Sequence, residues 1–336
     1  MKKLRIGVVG ATGVVGQQIL KVMAERGVPF SELKLLATAN SAGQKIEFLG
    51  KTYTVEETTA ESFDDLDLAL FAGGPASKAF GRLAQQKGVV VIDNSSTFRY
   101  EPDVPLVVPE INGEVLKNHG GLIANPNCST ILLVCALYPL YQKSKITRII
   151  VSTYQAVSGA GKAGLEELKL QNEQLVKGEE ITPHAFQYQI ASNLIPQIDV
   201  WLEDDYTKEE MKVVWETHKI LNDENIGITA TAVRVPVYRS HSESVYVEFA
   251  EEITPEEARE LLAKAPGVIV QDDPAHNIYP MPLTASDTDE VYVGRIRRDL
   301  VNKNALNLWI AFDQVRKGAA TNAVQIAEYL LAHDLV

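Results

Sequence analysis

Short apolar runs alternate with amphipathic stretches along the first third of the chain. Leu4–Val9 reads as a buried strand, and beyond the glycine run that follows it a helical pattern continues to Ala24. Further strands are predicted over residues 34–37, 68–71, 89–92, 106–108 and 122–124, with helices near 76–87 and 112–118. Alternation of this kind predicts a parallel sheet covered by helices. Residues 45–56 break the rhythm with shorter strand-like pieces around Gly50 and read as a hairpin.

The texture then changes. An apolar segment over 131–141 reads as a buried helix, and longer alternating strands follow at 149–155, 228–237, 245–251, 291–297 and 306–312, a pattern that predicts a mixed or antiparallel sheet. Helices fit 162–176, 208–221 and 255–264, and a last one runs over 319–332. Leu306, Leu308, Ile310 and Phe312 line one face of their strand and Trp309 lies on the other. Apolar residues on both faces call for a second cover, for which a partner subunit is the candidate.

At 336 residues the chain exceeds one typical core, so two domains are expected. Hydrophobic residues make 46% and charged residues 23% of it, and no apolar run approaches the roughly 20 residues that span a bilayer. A membrane location is therefore not expected. The basic opening Met1-Lys2-Lys3-Leu4-Arg5 leads straight into the first strand without a cleavage-type site, so the cytoplasm is the expected compartment. A formal charge of -12 argues against nucleic acid as a partner. Cys128 and Cys135 lie on one predicted helix, about 10 Å apart along its axis, too far to bridge. Two free thiols fit a reducing compartment, and no Cys/His spacing resembles a metal site.

The stretch Asn125-Pro126-Asn127-Cys128-Ser129-Thr130 sets a cysteine on the first turn of the apolar helix. Proline at 126 keeps residue 125 extended, Asn127 can cap, and the unpaired N–H groups of the first turn lower the pKa of a sulfur beside them. A reactive thiolate is expected there rather than a merely buried thiol. The run Gly10-Ala11-Thr12-Gly13-Val14-Val15-Gly16 fits a dinucleotide site, because small residues let the backbone approach a pyrophosphate at the positive end of the next helix. Its spacing, G-x-x-G-x-x-G, departs from the commoner G-x-G-x-x-G. The second strand ends at Ala37-Thr38-Ala39-Asn40-Ser41-Ala42-Gly43, without an acid to grip a ribose 2′-hydroxyl and repel a 2′-phosphate, which favours NADP.

Ser152-Thr153-Tyr154-Gln155-Ala156-Val157-Ser158-Gly159-Ala160-Gly161 follows a strand with small residues and one amide. Such a segment can orient a carbonyl and admit a flat ring, or serve only as a glycine-containing turn. Arg234-Val235-Pro236-Val237-Tyr238-Arg239-Ser240-His241 combines a strand-borne arginine, able to clamp a carboxylate, with a histidine just beyond the strand that can shuttle a proton.

Taken in order, GATGVVG, SAG, NSSTFRYEPDVPLVVPEIN, NPNCST, STYQAVSGAG, PQIDV, EEMKVVWETHKI, ATAVRVPV, HSES, VGRIR and KGAATNAVQIAE resemble the motifs of the bacterial aspartate-semialdehyde dehydrogenase family over essentially the whole chain. The resemblance implies an α/β protein with two domains. An N-terminal Rossmann-like dinucleotide-binding domain spans 1–127 and is completed by a C-terminal helix, 316–336. An α+β catalytic and dimerisation domain with a mixed sheet spans 128–315. By the same resemblance Cys128 is the nucleophile, Gln155 positions the substrate carbonyl, His241 is the acid/base group and Arg234 holds the substrate carboxylate. Arg99, Asn127 and Lys212 would bind phosphate, and Glu209 the substrate ammonium. Glu209 and Lys212 are three apart and can face one site from a single helix turn. NADP would meet Gly10, Ala11, Thr12, Gly13, Val14, Val15, Thr38, Asn40, Ser41, Ala42, Gly73, Ser158, Gly159 and Asn322.

Two positions depart from the family pattern. Asn40 stands where members commonly carry arginine before SAG, and Phe71-Ala72-Gly73-Gly74-Pro75 differs from the usual serine-containing form. The reaction implied is reduction of L-aspartyl 4-phosphate by NADPH to L-aspartate 4-semialdehyde and phosphate, by a homodimer or homotetramer, serving lysine, methionine and threonine synthesis. The nearest rivals are reductases of N-acetyl-glutamyl phosphate or malonyl-CoA. Arg234 with Glu209 speaks against them, because that pairing suits a free amino acid.

Overall fold

The computed structural model describes residues 3–336; Met1 and Lys2 of the basic opening lie outside them. The chain divides into two units, one running to Asn127 and taking in Ala319–Val336, the other Cys128–Gly318.

In the first unit β1 (Leu4–Val9) is almost wholly buried, and α1 (Val14–Arg26) follows directly after Gly13. β2 (Phe30–Ala37) pairs parallel to β1. The expected hairpin forms as β3 (Lys45–Phe48) and β4 (Lys51–Thr54), and the chain leaves it through a two-residue strand, β5 (Glu56–Glu57), laid parallel to the end of β2. β6 (Leu68–Phe71), α2 (Gly74–Gln86), β7 (Val90–Asp93), the single-turn α3 (Pro109–Asn112) and β8 (Leu122–Ala124) follow. The sheet is parallel throughout, in the order β5-β2-β1-β6-β7-β8. Strands covered on both faces need continuous apolar runs, which is the pattern the sequence carries. The closing helix, Thr321–Ala332, returns to this unit and sets Ala323, Val324, Ile326, Ala327 and Leu330 into its core.

Two expectations are corrected here. Residues 106–108 form no strand: only Leu106 bridges to Ala124, because the Asn112 side chain takes the backbone groups on either side, donating to Leu106 O and accepting from Val108 N–H, both at 2.9 Å. The helix expected over 112–118 is α3 followed by a 3-10 stretch, Gly113–Asn118.

In the second unit α4 (Cys128–Lys143) is buried on nearly every side. β9 (Ile146–Gln155), α5 (Gly161–Lys177), α6 (Lys208–Leu221), β10 (Gly227–Arg234), β11 (His241–Phe249), α7 (Pro255–Ala263), β12 (Val268–Val270), α8 (Pro282–Ala285), β13 (Val291–Arg298) and β14 (Ala305–Phe312) follow. The six-stranded sheet runs β10-β9-β11-β14-β13-β12 and is mixed, with β9/β10 and β12/β13 parallel and the other pairs antiparallel. β12 was not expected from the pattern. The strand expected to reach 237 stops at Arg234 with Pro236 two residues on, and the strand expected from 245 starts at His241 instead. The last helix is not regular over 319–332: a π-helical turn, Arg316–Ala320, precedes its α-helical part.

One face of the mixed sheet carries Ile149, Val151, Val245, Val247, Leu306 and Leu308, with α4, α6 and α7 packed on strands of the sheet. Glu243 sits in this face, paired across to Ile310 and Thr153, fully buried, and neither carboxyl oxygen meets a hydrogen-bond partner among the described residues. Burial alone pushes it well above the usual carboxylate range. Such a group binds its proton more tightly in the folded than in the unfolded chain, so it opposes folding increasingly as pH rises above the unfolded value. Glu243→Gln is therefore expected to stabilise the protein at pH 8 and hardly at all at pH 4. The difference should grow by up to about 1.4 kcal/mol per pH unit while the folded carboxyl stays protonated. Urea denaturation of both proteins at several pH values tests this, and a pH-independent difference would refute it.

Candidate active site

The strand register assembles the centre of the site. Gln155, the last residue of β9, pairs with Arg234, the last of β10. Ser242 pairs with Tyr154, so His241, which opens β11, stands across from Gln155 on its other side. Arg234, Gln155 and His241 thus form one row across three strands, on the face that α4 and α6 cover. All three are buried.

Helix α6 is fixed to this row by a residue the sequence reading did not single out. Thr207 and Glu210 form a capping box, with Glu210 Oε2 accepting from Thr207 N–H at 2.7 Å and Thr207 Oγ1 accepting from Glu210 N–H at 3.3 Å. The other oxygen of Glu210 accepts from Ala232 N–H at 2.9 Å, which pins the start of the helix to the strand bearing Arg234. Glu209 and Lys212 then fall in place. Glu209 Oε1 accepts from Gln155 Nε2 at 3.1 Å, and Lys212 Nζ donates to Glu209 Oε2 at 2.9 Å. Thr153 Oγ1 donates to Gln155 Oε1 at 2.9 Å and so fixes which way the amide points. Burial works against charge on Lys212, yet Glu209 and Asp199 together hold its pKa above the usual lysine value. Glu209 and Lys212 form an i, i+3 ion pair that is buried rather than solvated.

His241 is fully buried, and its Nδ1 accepts from Ala156 N–H at 3.1 Å. Its pKa is pushed down to about 3, first by burial and then by the nearby Arg234 guanidinium, so the ring is neutral and carries its proton on Nε2. That nitrogen has no hydrogen-bond partner among the described residues. Arg234 Nη1 donates to Ala156 O at 2.7 Å and its guanidinium lies over the Phe186 ring. Burial lowers its pKa, while Glu209 and then Cys128 act the other way. Cys128 is the first residue of α4 and partly exposed; Cys135 is buried, and both are free thiols. Over this centre passes Gly159, where a Cβ would come within 2.7 Å of Arg234 Nη1 and 3.3 Å of His241 Nε2. Ser158 beside it accepts a hydrogen bond from Gln314 Nε2.

The second unit thus brings together Cys128, Gln155, Glu209, Lys212, Arg234 and His241. Arg99 and Asn127 belong to the first unit. Arg99 is buried and donates to Asn94 O and Asn125 O, each at 2.9 Å, and Asn127 is buried at the end of that unit. Asn322 is buried there too, donating to Val107 O at 2.9 Å and Asn125 Oδ1 at 2.7 Å.

The glycine run of the first unit lies where the strand order reverses between β1 and β6, the usual ligand crevice of a parallel sheet. Gly10 has φ 83°, and a Cβ on Gly16 would meet Gly10 O at 2.2 Å, so only glycine lets α1 start this close to the turn. No side chain caps α1 and its first turn holds no acid, which leaves its N–H groups available to a pyrophosphate. Space remains at Gly73, where a Cβ would touch nothing within 4 Å. Thr12 Oγ1 donates to Ser41 Oγ at 3.3 Å, and Thr38 and Asn40 are exposed beside it. These residues fit a dinucleotide. A cavity of about 310 Å³ adjoins them, lined by Gly10, Ala37, Thr38, Thr58, Pro75 and Phe80 among others, and its only charged lining residue is Glu57. Sequence reading missed this acid because it comes from β5 rather than from the end of β2.

Comparison with known proteins agrees with this geometry. Residues 5–119 match the family model of the semialdehyde dehydrogenase NAD-binding domain, and residues 137–317 that of the semialdehyde dehydrogenase dimerisation domain, the part by which such chains associate. The aspartate-semialdehyde dehydrogenase of Aquifex aeolicus is 54% identical over 99% of both chains, and that of Bacillus subtilis 47% identical over 99% of both. Among solved structures, aspartate semialdehyde dehydrogenase II from Vibrio cholerae superposes with a TM-score of 0.96 at 45% identity, covering 98% of this chain and 99% of that one. The Candida albicans enzyme with NADP gives 0.78 at 26% identity over the whole of both chains. With sequence identity of this depth over its full length, the chain belongs to the aspartate-semialdehyde dehydrogenase family.

Proposed function

We propose that this protein reduces L-aspartyl 4-phosphate with NADPH to L-aspartate 4-semialdehyde and phosphate, reversibly, through a cysteine thioester in lysine, methionine and threonine synthesis. The observation that carries the reading is the buried row Arg234–Gln155–His241 with Glu209 and Lys212 on one turn of α6, in the same unit as Cys128. Such a centre offers a cation for a carboxylate, an anion for an ammonium and a thiol for an acyl group. N-acetyl-glutamyl phosphate lacks the free ammonium and malonyl-CoA the amino group altogether, so neither would satisfy Glu209. A cytoplasmic homodimer or homotetramer is the expected working form.

The Cys128 sulfur attacks the acyl carbonyl and expels phosphate, leaving a thioester, which divides one difficult step into two easier ones. Arg234 holds the substrate carboxylate, Glu209 its ammonium, and Arg99, Asn127 and Lys212 receive the phosphate. Gln155, its amide direction set by Thr153, orients the carbonyl. His241 enters with its proton on Nε2, so it first serves as a donor to the carbonyl oxygen as negative charge develops there. The nicotinamide, when bound, supplies the hydride that reduces the thioester. The resulting thiohemiacetal collapses by breaking its C–S bond, which returns the thiolate and releases the aldehyde.

The direct assay is phosphate-dependent reduction of NADP by aspartate semialdehyde, run beside NAD. Cys128→Ala is expected to abolish turnover while NADP binding survives, and Cys135→Ala to retain activity. Substantial phosphate-dependent turnover in the first variant would disprove the covalent route.

Changing His241 to Asn should lower kcat by roughly 10² to 10⁴. In the free wild-type enzyme, NMR of the labelled imidazole should show no titration of His241 between roughly pH 5 and pH 8. Loss of the Arg234 charge in Arg234→Leu should raise the pKa of His241 and cost about 2 to 5 kcal/mol in kcat/KM, which Lys restores only in part because the bidentate fork is missing. Near-normal kcat/KM in the Leu variant would remove Arg234 from its assigned role.

For the cofactor, Thr38, Asn40 and Ser41 offer neutral hydrogen bonds to a 2′-phosphate while Glu57 repels it. NADP should be preferred over NAD, but weakly. Asn40→Arg should tighten NADP by about tenfold with little change for NAD, since a charge-assisted bond replaces a neutral one. Glu57→Gln should act in the same direction by roughly threefold, as expected for one exposed charge. Fluorescence titration of both nucleotides tests this, and an unchanged NADP affinity in Asn40→Arg would defeat it.

A further inference from the structure

The motif Pro196-Gln197-Ile198-Asp199-Val200 has no part in the chemistry above, yet Asp199 reaches the site. Its Oδ2 accepts from Lys212 Nζ at 2.7 Å, a shorter contact than the 2.9 Å from the same ammonium to Glu209. The backbone of Asp199 holds φ 70°, in the left-handed region, and its Oδ1 accepts from Val200 N–H at 2.9 Å. Lys208 N–H donates to Val200 O at 2.8 Å, tying this loop to the first turn of α6. Loop and helix are therefore joined at the backbone and again, one helical turn on, at the ammonium.

We infer that Asp199 is a positioning residue: it holds the Lys212 ammonium in place beside Glu209, so that one turn of α6 presents a fixed cation for phosphate next to a fixed anion for the substrate ammonium. The inference rests on the assignment of Lys212 to phosphate. Lys212 is nine-tenths buried, and a lysine there has two carboxylates within reach, one from its own helix and one from the loop. With Glu209 alone the ammonium would be drawn wholly toward the group meant for the substrate, and the two would neutralise each other. A second carboxylate on the far side divides that pull. The charged groups acting on Lys212 are Glu209 and Asp199; from α4 the Thr130 hydroxyl donates to the Lys212 carbonyl at 3.5 Å, and β10 carries Arg234, which acts on Glu209. Against the effect of its own burial, Lys212 holds Asp199 below the usual carboxylate range, so the pair is charged at neutral pH.

The test is steady-state kinetics of the full-length enzyme in the oxidative direction, with inorganic phosphate varied at saturating aspartate semialdehyde and NADP, for Asp199→Asn, Asp199→Glu and Lys212→Met. Asparagine tolerates the left-handed backbone, so Asp199→Asn removes the charge with least strain. It should raise the KM for phosphate about tenfold, the effect of losing one charge-assisted hydrogen bond, while the KM for aspartate semialdehyde changes little. The pH profile should also move. Without Asp199 burial counts for more, the Lys212 pKa falls, and the alkaline loss of phosphate binding begins at a lower pH. Asp199→Glu should recover part of the phosphate KM. If Lys212→Met weakens phosphate while Asp199→Asn leaves its KM and pH profile unchanged, or if Asp199→Asn lowers that KM because the carboxylate only competes with phosphate, the positioning role is overturned. If Lys212→Met itself leaves the phosphate KM unchanged, the assignment of Lys212 fails, and the inference with it.

Discussion

Register in the mixed sheet is the constraint on which the site depends. Side chains alternate between the two faces of a strand, so a slip of one residue between β9 and its neighbours would carry a whole row to the opposite face. Here β10 and β11 both meet β9 so that Arg234, Gln155 and His241 share one row on the helix-covered face. The apolar residues further down the same strands enforce this register. Ile149, Val151, Val245 and Val247 are buried and would be carried off this face by a slip of one residue, at about 1.5 to 3 kcal/mol for each large side chain exposed. Catalytic geometry is thus held by ordinary hydrophobic burial some distance from the chemistry.

Burial that fixes the geometry also sets the electrostatics. A carboxylate or ammonium taken from water costs several kcal/mol unless it is paired, and the site meets that cost differently for each group. Glu209 and Lys212 pair with each other, with Gln155 and Asp199 supplying further bonds. His241 gives up its charge. Glu243, two residues along the same strand and without a partner, keeps its proton. The outcome is a centre whose charged groups are Arg234, Glu209 and Lys212, with Asp199 behind the lysine and a neutral His241 beside them.

Much of this was legible in the sequence where one local rule dominated. The strands of the parallel sheet are continuous apolar runs bounded by turns, and β1, β6 and β8 begin and end where the pattern places them. Helix α6 was equally readable, its bounds of 208–221 matching those expected, while the Thr207–Glu210 capping box that fixes its start was not singled out. Residues 106–108 misled because Asn112, a few positions on, satisfies their backbone with its side chain, and no apolar pattern reports that. Cys128, Arg234 and His241 stood out by residue type. Asp199 and Glu57 did not, since an acid in a loop or a two-residue strand looks like any solvated charge until the fold shows what lies beside it.

The peptide groups of Ala156 tie His241 and Arg234 together. Its N–H sets the tautomer of His241 and its carbonyl accepts from Arg234, so one residue at the end of β9 orients both side chains. A displacement of this residue would disturb the two together. The segment beyond it has little freedom to move independently: Val157 N–H donates to Val237 O, Ser158 N–H to Tyr238 O, and Gly159 N–H back to Ala156 O. The first two acceptors lie in the connection between β10 and β11, the strands that carry Arg234 and His241. The loop is therefore bound at one end to the strand bearing Gln155 and along its length to the link between the other two. An error in the position of any one of the three strands would be passed on to the hydrogen bonds of Ala156 with His241 and Arg234. Precision of this kind needs no rigid loop sequence, only two backbone groups of one residue shared between Arg234 and His241.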